Sequence, residues 1–391
     1  MNISVYLGLN INDFSFDFSA GNAERYAMEN KTSVTEFIIL GFLTLPELKL
    51  LLFVVFSCLY FLTVVGNIII IAIITADGAL QTPMYFFLKN LSFLELCFTS
   101  VTIPNMLVNL LLKETKISFV GCATQLYFFL LLGVTECLLL TVMSYDRYVA
   151  ICNPLRYTAI MNKRICLQFS AACWFVGFMV AAGHTAVIFS LPFCGPNIIN
   201  HFFCDIQPLL TLVCGDTYWN EVQVIAVAGV VLMLPFILVL MSYTHIITTI
   251  LKMSSAKSRS KAFSTCSSHL TVVSLYYGTA VFMYTRPKAS YSLDKDKWFT
   301  LFYCVVTPLL NPVIYSLRNK EVEIYALQKT QGNNKFMKSY HLVYLFFHFS
   351  APQLAMYIRC ILSEEPTCTE LASQIFGFYT VSLQIERAGL K

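Results

Sequence analysis

Seven apolar runs separated by short polar segments dominate the hydrophobic pattern of the chain. They lie at about 50–75, 83–107, 122–146, 166–191, 220–250, 262–285 and 298–317. Each is close to or above the roughly 20 residues that a helix needs to cross a bilayer. Because lipid offers no hydrogen-bond partner to an open strand edge, helices are the expected form. The pattern therefore predicts an all-α membrane protein with a seven-transmembrane helix bundle.

Composition supports a membrane protein and excludes several other classes. Of the 391 residues, 57% are hydrophobic and 12% are charged, with a mean hydropathy of +0.67. A soluble globular chain carries about 25% charged residues. The net charge of +4 comes without a long basic run, so no nucleic-acid partner is expected. The sequence contains no phosphate-binding loop, zinc-protease motif or hydrolase elbow, so we expect neither enzyme activity nor a cofactor.

Basic residues between the runs suggest how the bundle is oriented. One side has Arg147, Arg156, Lys163, Arg164, Lys252, Lys257, Arg259, Lys261, Arg318 and Lys320, and the other has Lys49, Lys113, Lys116, Arg286, Lys288, Lys295 and Lys297. The excess on the first side predicts that it is cytoplasmic. The N-terminus is then extracellular and the C-terminus cytoplasmic. Two sequons in the N-terminal segment agree with this orientation, with Asn30 as the main glycosylation candidate and Asn2 as the weaker one.

Four cysteines cluster on the predicted extracellular side, at Cys122, Cys194, Cys204 and Cys214. That compartment is oxidising, so two disulfides are expected. Four cysteines allow three pairings, and their spacing does not choose among them. A metal site to which His201 contributes is the alternative.

A few polar groups lie within the apolar runs. Glu95 and Glu136 are carboxylates in the second and third runs, where buried charges often mark ion or proton sites. A sodium or proton site and a structural hydrogen-bonded pair are both compatible with them. In the seventh run, Pro312 is expected to kink the helix, and Asn311 can bond the freed backbone groups. His184 and His245 are predicted to be structural groups that face the bundle.

The third run ends in Met143-Ser-Tyr-Asp-Arg-Tyr148, which places an acid beside an arginine at the predicted cytoplasmic face. Ionised side chains at this depth tend to be paired and functional. We expect Asp146 to hold the guanidinium of Arg147, whose donor fork a partner could later bind. A charge pair that only fixes the depth of the helix is the alternative.

Six motifs in order give the chain a family resemblance. They are Gly66-Asn67, Pro83-Met-Tyr-Phe-Phe-Leu88, Met143-Ser-Tyr-Asp-Arg-Tyr-Val-Ala-Ile-Cys152, Ser242-Tyr243, Lys261-Ala-Phe-Ser-Thr-Cys-Ser-Ser-His-Leu270 and Pro308-Leu-Leu-Asn-Pro-Val-Ile-Tyr315. From about Met28 to Val322 the chain resembles the olfactory receptors, a branch of the rhodopsin-like G-protein-coupled receptors. Glu95 departs from the family pattern, which commonly has aspartate there.

The resemblance implies a location, partners and residue roles. It implies a multi-pass plasma-membrane receptor in contact with lipid, which binds an odorant and activates the olfactory stimulatory G protein to raise cyclic AMP. It implies the disulfides Cys122–Cys204 and Cys194–Cys214. The residues that match the family's activation and G-protein-coupling positions are Asp146, Arg147, Tyr148, Tyr243, Asn311, Pro312 and Tyr315.

The resemblance also implies an odorant site in the outer halves of helices three, five, six and seven. The residues expected to line it are Phe129, Leu130, Gly133, Val134, Val227, Ala228, Val231, Tyr277, Ala280, Val281 and Leu301. Most are apolar, and Tyr277 is expected to be the main polar group. This set predicts moderate affinity for a small apolar odorant with one hydrogen-bonding group. The alternative for each residue is that it faces lipid or another helix.

The chain is expected to divide into three regions. An extracellular tail spans 1–49, of which 1–27 is an atypical extension; the receptor domain spans 50–327, including a short amphipathic helix after the seventh run. Residues 328–391 form an atypical extension, expected to lie on the membrane or, as an alternative, to cross it once more at Tyr340–Leu362. An abnormal tail raises the alternative of a receptor-shaped product that is retained or uncoupled. A multi-pass transporter or channel is the rival class, but the chain has no internal repeat.

Overall fold

Helices make up nearly all of the structure, a computed structural model that describes residues 34–41, 48–112, 115–194, 197–284, 297 and 299–317. Six long helices follow one another: α1 (Lys49–Ala76), α2 (Pro83–Leu111), α3 (Phe119–Cys152), α4 (Lys163–Phe189), α5 (Tyr218–Leu251) and α6 (Ala256–Tyr284). A seventh, α7, contains the π-helical turn Phe302–Val306 and the helix Thr307–Leu317. Asn2, Asn30 and the predicted extensions 1–27 and 328–391 lie outside the described residues.

The five helices α1 to α5 are long and apolar enough to cross a membrane. The mean hydropathy of their most apolar stretches ranges from 1.5 in α2 to 3.0 in α5. Helix α6 is as long as these helices, but its first turn contains the charged residues Lys257 and Arg259. The apolar part of α7 is shorter. Large side chains such as Phe61, Phe175 and Val230 remain about 64–65% exposed on the outside of the bundle. A surface of this kind suits lipid rather than water.

Helix α3 is longer than the apolar run that predicts it. It begins after Ser118, whose hydroxyl accepts a hydrogen bond from the Gly121 amide at 3.0 Å, and it continues to Cys152. The apolar run measures only the part suited to the bilayer, whereas backbone hydrogen bonds can carry the same helix further. As a result Asp146 and Arg147 lie inside a helix rather than at its end.

Two helices change their backbone pitch just before a proline. The π-helical turn Gly229–Met233 in α5 precedes Pro235, and the turn Phe302–Val306 precedes Pro308. Proline has no amide hydrogen to donate to the preceding turn, and such local changes in pitch accommodate the loss. Both turns contribute side chains to the interior of the bundle, including Leu232 and Tyr303.

A small sheet covers one end of the bundle. Strand β1 (Glu36–Ile39) pairs antiparallel with β2 (Thr115–Ser118) and parallel with β3 (Ile198–Ile199). Lys116 forms an ion pair with Glu36 at 2.6 Å across β1 and β2. We call this sheet, with residues 198–214, the cap. The apolar runs do not predict it, because its strands are only two to four residues long.

Candidate functional site

An apolar cavity lies between α3, α4, α5, α6 and α7, next to the cap. Its volume, measured as the space open to the centre of a water-sized sphere, is about 70 Å³, which is smaller than the roughly 300–1,000 Å³ of drug-sized ligand sites and leaves room only for a small molecule. Among the residues that the structure describes, no Asp, Glu, Lys or Arg side chain lines it. The cap contributes Ile206, the first residue of the short helix Ile206–Leu210. The cavity is therefore suited to an uncharged, largely apolar molecule.

In the described part of the lining, three polar side chains interrupt the apolar surface: His184, Tyr276 and Tyr303. The Tyr276 hydroxyl donates to the Gly133 carbonyl oxygen at 2.5 Å, and the Tyr303 hydroxyl donates to the Tyr276 oxygen at 3.4 Å. These hydrogen bonds connect α7 to α6 and α6 to α3. His184 belongs to α4 and is only 8% exposed.

Two carboxyl groups lie deep inside the bundle. Glu95 and Glu136 are at most 1% exposed and lie near each other inside the bundle. The Asn311 side-chain amide donates to Glu95. Among the described residues, Glu95 Oε2, Glu136 Oε1 and Asn311 Oδ1 have no hydrogen-bond partner. No cluster of three or more His, Cys, Asp or Glu suited to a metal occurs in the described part of the chain.

Asp146 and Arg147 do not pair with each other, contrary to the sequence-based expectation. Asp146 Oδ1 accepts a hydrogen bond from the Tyr157 hydroxyl at 2.8 Å, whereas Arg147 lies against the Met84 sulfur of α2. Neighbouring residues on a helix point about 100° apart, so the two side chains reach different partners. Burial and the Asp146 carboxylate raise the pKa of Tyr157, so its hydroxyl stays protonated and donates.

Tyr243 connects α5 to α6 at the same end of the bundle as Arg147. Its hydroxyl lies 2.7 Å from His269 Nδ1. His245, expected to face the bundle, is instead exposed, with its ring 5.8 Å from that of Tyr148. Pro312 of α7 packs against α1, where a Cβ on Gly66 would lie 3.0 Å from the proline Cβ. The side chain of Tyr315 lies outside the described residues.

Both disulfides implied by the resemblance are present in the structure. Cys122–Cys204 ties α3 to the cap with a Cα–Cα distance of 5.6 Å, and Cys194–Cys214 closes a loop with a sequence separation of 20. All four clustered cysteines are therefore bridged, and none of them offers a thiolate for a metal site with His201.

Two titratable groups of the cap are buried. Burial and the charge of Lys297 lower the pKa of His201 to about 3. Burial raises the pKa of Asp205 to about 6, although its carboxylate accepts a hydrogen bond from the Ile206 amide at 2.7 Å. The cap thus holds a neutral imidazole and a carboxyl group with an elevated pKa, and the carboxyl group belongs to the residue just before Ile206.

Comparison with known proteins assigns the chain to a family. A family model described as olfactory receptor matches residues 56–330. The chain is 56% identical to human olfactory receptor 10C1 over 301 residues, covering 77% of this chain and 96% of that receptor. It is 55% identical to human olfactory receptor 10A7 over 295 residues, with 75% and 93% covered. Mouse olfactory receptor 5AR1 is 48% identical over 295 residues, with 75% and 95% covered.

The chain belongs to the olfactory receptor family. It is therefore a multi-pass plasma-membrane receptor and not an enzyme. All six motifs on which the resemblance rests lie within the matched residues 56–330, as does the whole cavity. Residues 331–391 lie beyond the match.

Eight of the eleven predicted odorant-contacting residues of this olfactory receptor line the cavity. They are Phe129, Leu130, Gly133, Val134, Val227, Ala228, Val231 and Ala280. The other three, Tyr277, Val281 and Leu301, do not. Contact with an odorant remains a prediction for the whole set.

The structure places Tyr276, not Tyr277, at the cavity. The Tyr277 hydroxyl donates to the Cys137 carbonyl oxygen and lies within 3.0 Å of Thr141 Oγ1, so this side chain ties α6 to α3 outside the lining. Consecutive helical residues cannot share one face, and the sequence does not show which of two adjacent tyrosines turns inward.

Sequence reasoning missed seven lining residues: Val180, His184, Ile206, Val224, Leu232, Tyr276 and Tyr303. The first two come from α4, which the resemblance did not include in the site. A histidine inside an otherwise apolar run was the available signal for α4. Nothing in the sequence signals Ile206, because its position depends on how the cap folds over the bundle.

Proposed function

We propose that this chain is an odorant receptor that binds small, largely apolar volatile molecules in the cavity and activates a stimulatory heterotrimeric G protein of the olfactory type, raising cyclic AMP. The observation that carries the proposal is an uncharged, apolar cavity enclosed by α3 to α7 in a member of the olfactory receptor family. A volatile ligand gains affinity mainly by burying apolar area, at roughly 25 cal/mol per Å².

Ligand binding activates the receptor only if the ligand has a different affinity for the inactive and the active state. An odorant shifts the population toward the active form by as much as it binds that form more tightly. The hydrogen bonds from Tyr303 to Tyr276 and from Tyr276 to Gly133 connect the cavity to α3, α6 and α7. A ligand that displaces these tyrosines therefore acts on three helices at once.

We propose that the opposite end of α6 transmits this change to the G protein. Here the Tyr243–His269 contact connects α5 to α6, and Arg147 lies against Met84. An outward movement of α6 would break the contact with Tyr243 and make Arg147 accessible to the G protein. Asp146, Tyr148, Asn311, Pro312 and Tyr315 are proposed to support this switch.

Glu95 and Glu136 are proposed to hold a sodium ion or to share a proton. Their free oxygens and that of Asn311 are the hard oxygen donors that such a cation prefers. A bound cation would supply the positive charge that two buried carboxylates need. The alternative is a structural pair without a bound ion, in which Glu95 and Glu136 share one proton.

The proposed topology places the cap outside the cell and the Arg147 end in the cytoplasm. Residues 1–49 would then form an extracellular tail glycosylated at Asn30, 50–327 the receptor domain and 328–391 an extension on the cytoplasmic side. Glycosidase treatment should increase the gel mobility of the wild type and not that of Asn30→Gln. An unmodified Asn30 in a receptor that reaches the surface would contradict this topology.

The deciding experiment expresses the full chain and a version ending near Lys329, then measures surface level and cyclic AMP against an odorant panel. Arg147→Ala should abolish the response at unchanged surface level. Arg164→Ala is the matched control, because Arg164 is exposed at the start of α4 near the same end. A response from the shortened chain alone would favour a retained or uncoupled product. A surface receptor whose odorant response survives Arg147→Ala would refute the proposed switch.

A further inference from the structure

His184 is the cavity residue whose hydrogen-bonding capacity is unused. It lies on α4, one turn after Val180, and both residues line the cavity wall. Its imidazole makes no hydrogen bond to any residue in the described part of the chain. A buried polar group without a protein partner is unfavourable unless another molecule bonds to it. The free imidazole therefore points to a ligand.

The two tyrosines of the cavity cannot take this role as donors. The Tyr276 hydrogen is committed to the Gly133 carbonyl oxygen at 2.5 Å, and the Tyr303 hydrogen points to the Tyr276 oxygen at 3.4 Å. Both retain only lone pairs toward the cavity. A neutral imidazole offers one N–H donor and one nitrogen acceptor. Among the lining side chains, His184 thus supplies the donor that a ligand oxygen requires.

The rest of the lining determines what else the ligand carries. None of the described residues that line the cavity is charged, so a carboxylate or an ammonium group would be buried there without a counter-ion from them. The remaining walls are apolar, with Phe129 and Leu130 from α3 and Val227 and Val231 from α5. These surfaces match a hydrocarbon chain or ring.

We propose that His184 anchors the oxygen of a neutral odorant, and that the preferred ligands are apolar molecules with one hydroxyl or carbonyl group. This inference rests on the proposed function, because it concerns the same cavity. It adds α4 to the site and makes His184 a specificity-determining residue. Hydrocarbons of the same length would fill the cavity without this hydrogen bond, and carboxylic acids would enter it only in their neutral form.

The test compares an alkane, a primary alcohol and an aldehyde of equal chain length on the wild type, His184→Leu and His184→Gln. The readouts are cyclic AMP and the thermal stabilisation of the purified full chain by each compound. One hydrogen bond corresponds to about a tenfold change in affinity. We expect His184→Leu to weaken the alcohol and the aldehyde about tenfold while the alkane is unchanged. His184→Gln should restore part of the loss, because its amide can donate.

Val180→Ala is the matched control, since it trims the same wall of α4 without removing a polar group. It should weaken all three compounds alike. Equal effects of His184→Leu on the alkane and the oxygenated compounds, or no effect on any, would overturn the inference. Thermal stabilisation that depends on His184 without a cyclic AMP response would support the anchor and contradict the proposed coupling. A wild type that none of the three compounds stabilises would overturn the ligand class.

Discussion

Replacing Gly177 with alanine tests how closely α3 and α4 pack. A Cβ at this position would lie 2.2 Å from Thr135 Oγ1, 2.9 Å from the Leu131 carbonyl oxygen and 3.3 Å from Leu131 Cδ1. The threonine hydroxyl can rotate away, but the carbonyl belongs to the backbone of α3. The two helices must therefore move apart to accommodate one methyl group.

The expected cost follows from these distances. Overpacking a close contact costs about 1–3 kcal/mol, and alanine returns about 1 kcal/mol through its helix preference. Gly183→Ala on the same helix receives the same preference, and a Cβ there meets no atom within 4 Å. The difference in stability between the two variants therefore isolates the steric cost, which is about 1–3 kcal/mol.

Thermal unfolding of the two purified variants in the same detergent measures this difference. Each kcal/mol corresponds to about 2–4 °C in Tm for a chain of 150–250 residues and to less in a longer chain, so Gly177→Ala should unfold about 1–6 °C below Gly183→Ala. Adding Thr135→Ala should recover the part of the loss caused by the hydroxyl. A Gly177→Ala protein that is as stable as Gly183→Ala would show that α3 and α4 do not approach this closely, and the packing argument would fail.

Three further predictions concern the two ends of the bundle. Tyr157→Phe removes the donor to Asp146 and should lower stability by about 1–3 kcal/mol; unchanged Tm and unchanged basal cyclic AMP would contradict this contact. Cys194→Ser with Cys214→Ser should lower stability by about 2–4 kcal/mol, seen as lower Tm and surface level, and equal values would indicate that the bridge adds nothing. The pKa of His201 is lowered to about 3 from an ordinary value of 6.5. Below pH 6.5 the unfolded chain therefore binds a proton at His201 that the folded chain does not, and the free energy of unfolding should fall by about 2 kcal/mol between neutral pH and pH 5. His201→Gln should lack this part of the pH dependence of Tm, and an identical pH profile would refute it.

The seven-helix order could be predicted because membrane helices are specified by local properties. A run of about 20 apolar residues has few alternatives in lipid, where each backbone group must find its partner within the helix. The motif at Asp146-Arg147 and the four clustered cysteines are likewise readable from residue type and order. Family resemblance then added the pairing of the cysteines, which spacing alone had left open.

Side-chain direction could not be predicted in the same way. The sequence places Asp146 beside Arg147 and Tyr276 beside Tyr277, yet in each pair the two side chains contact different partners. A shift of one residue turns a helix by about 100°, and the apolar background on all faces of a membrane helix gives no signal for the rotation.

The sequence by itself determined the membrane class, the order of the helices and the family of this protein, because these depend on composition and on motifs that are continuous along the chain. Only the tertiary structure decided that His184 of α4 enters the cavity, that Ile206 of the cap helps to close it, and that Glu95, Glu136 and Asn311 meet inside the bundle. These groups are far apart in sequence, and their contacts depend on how the helices rotate and pack against one another.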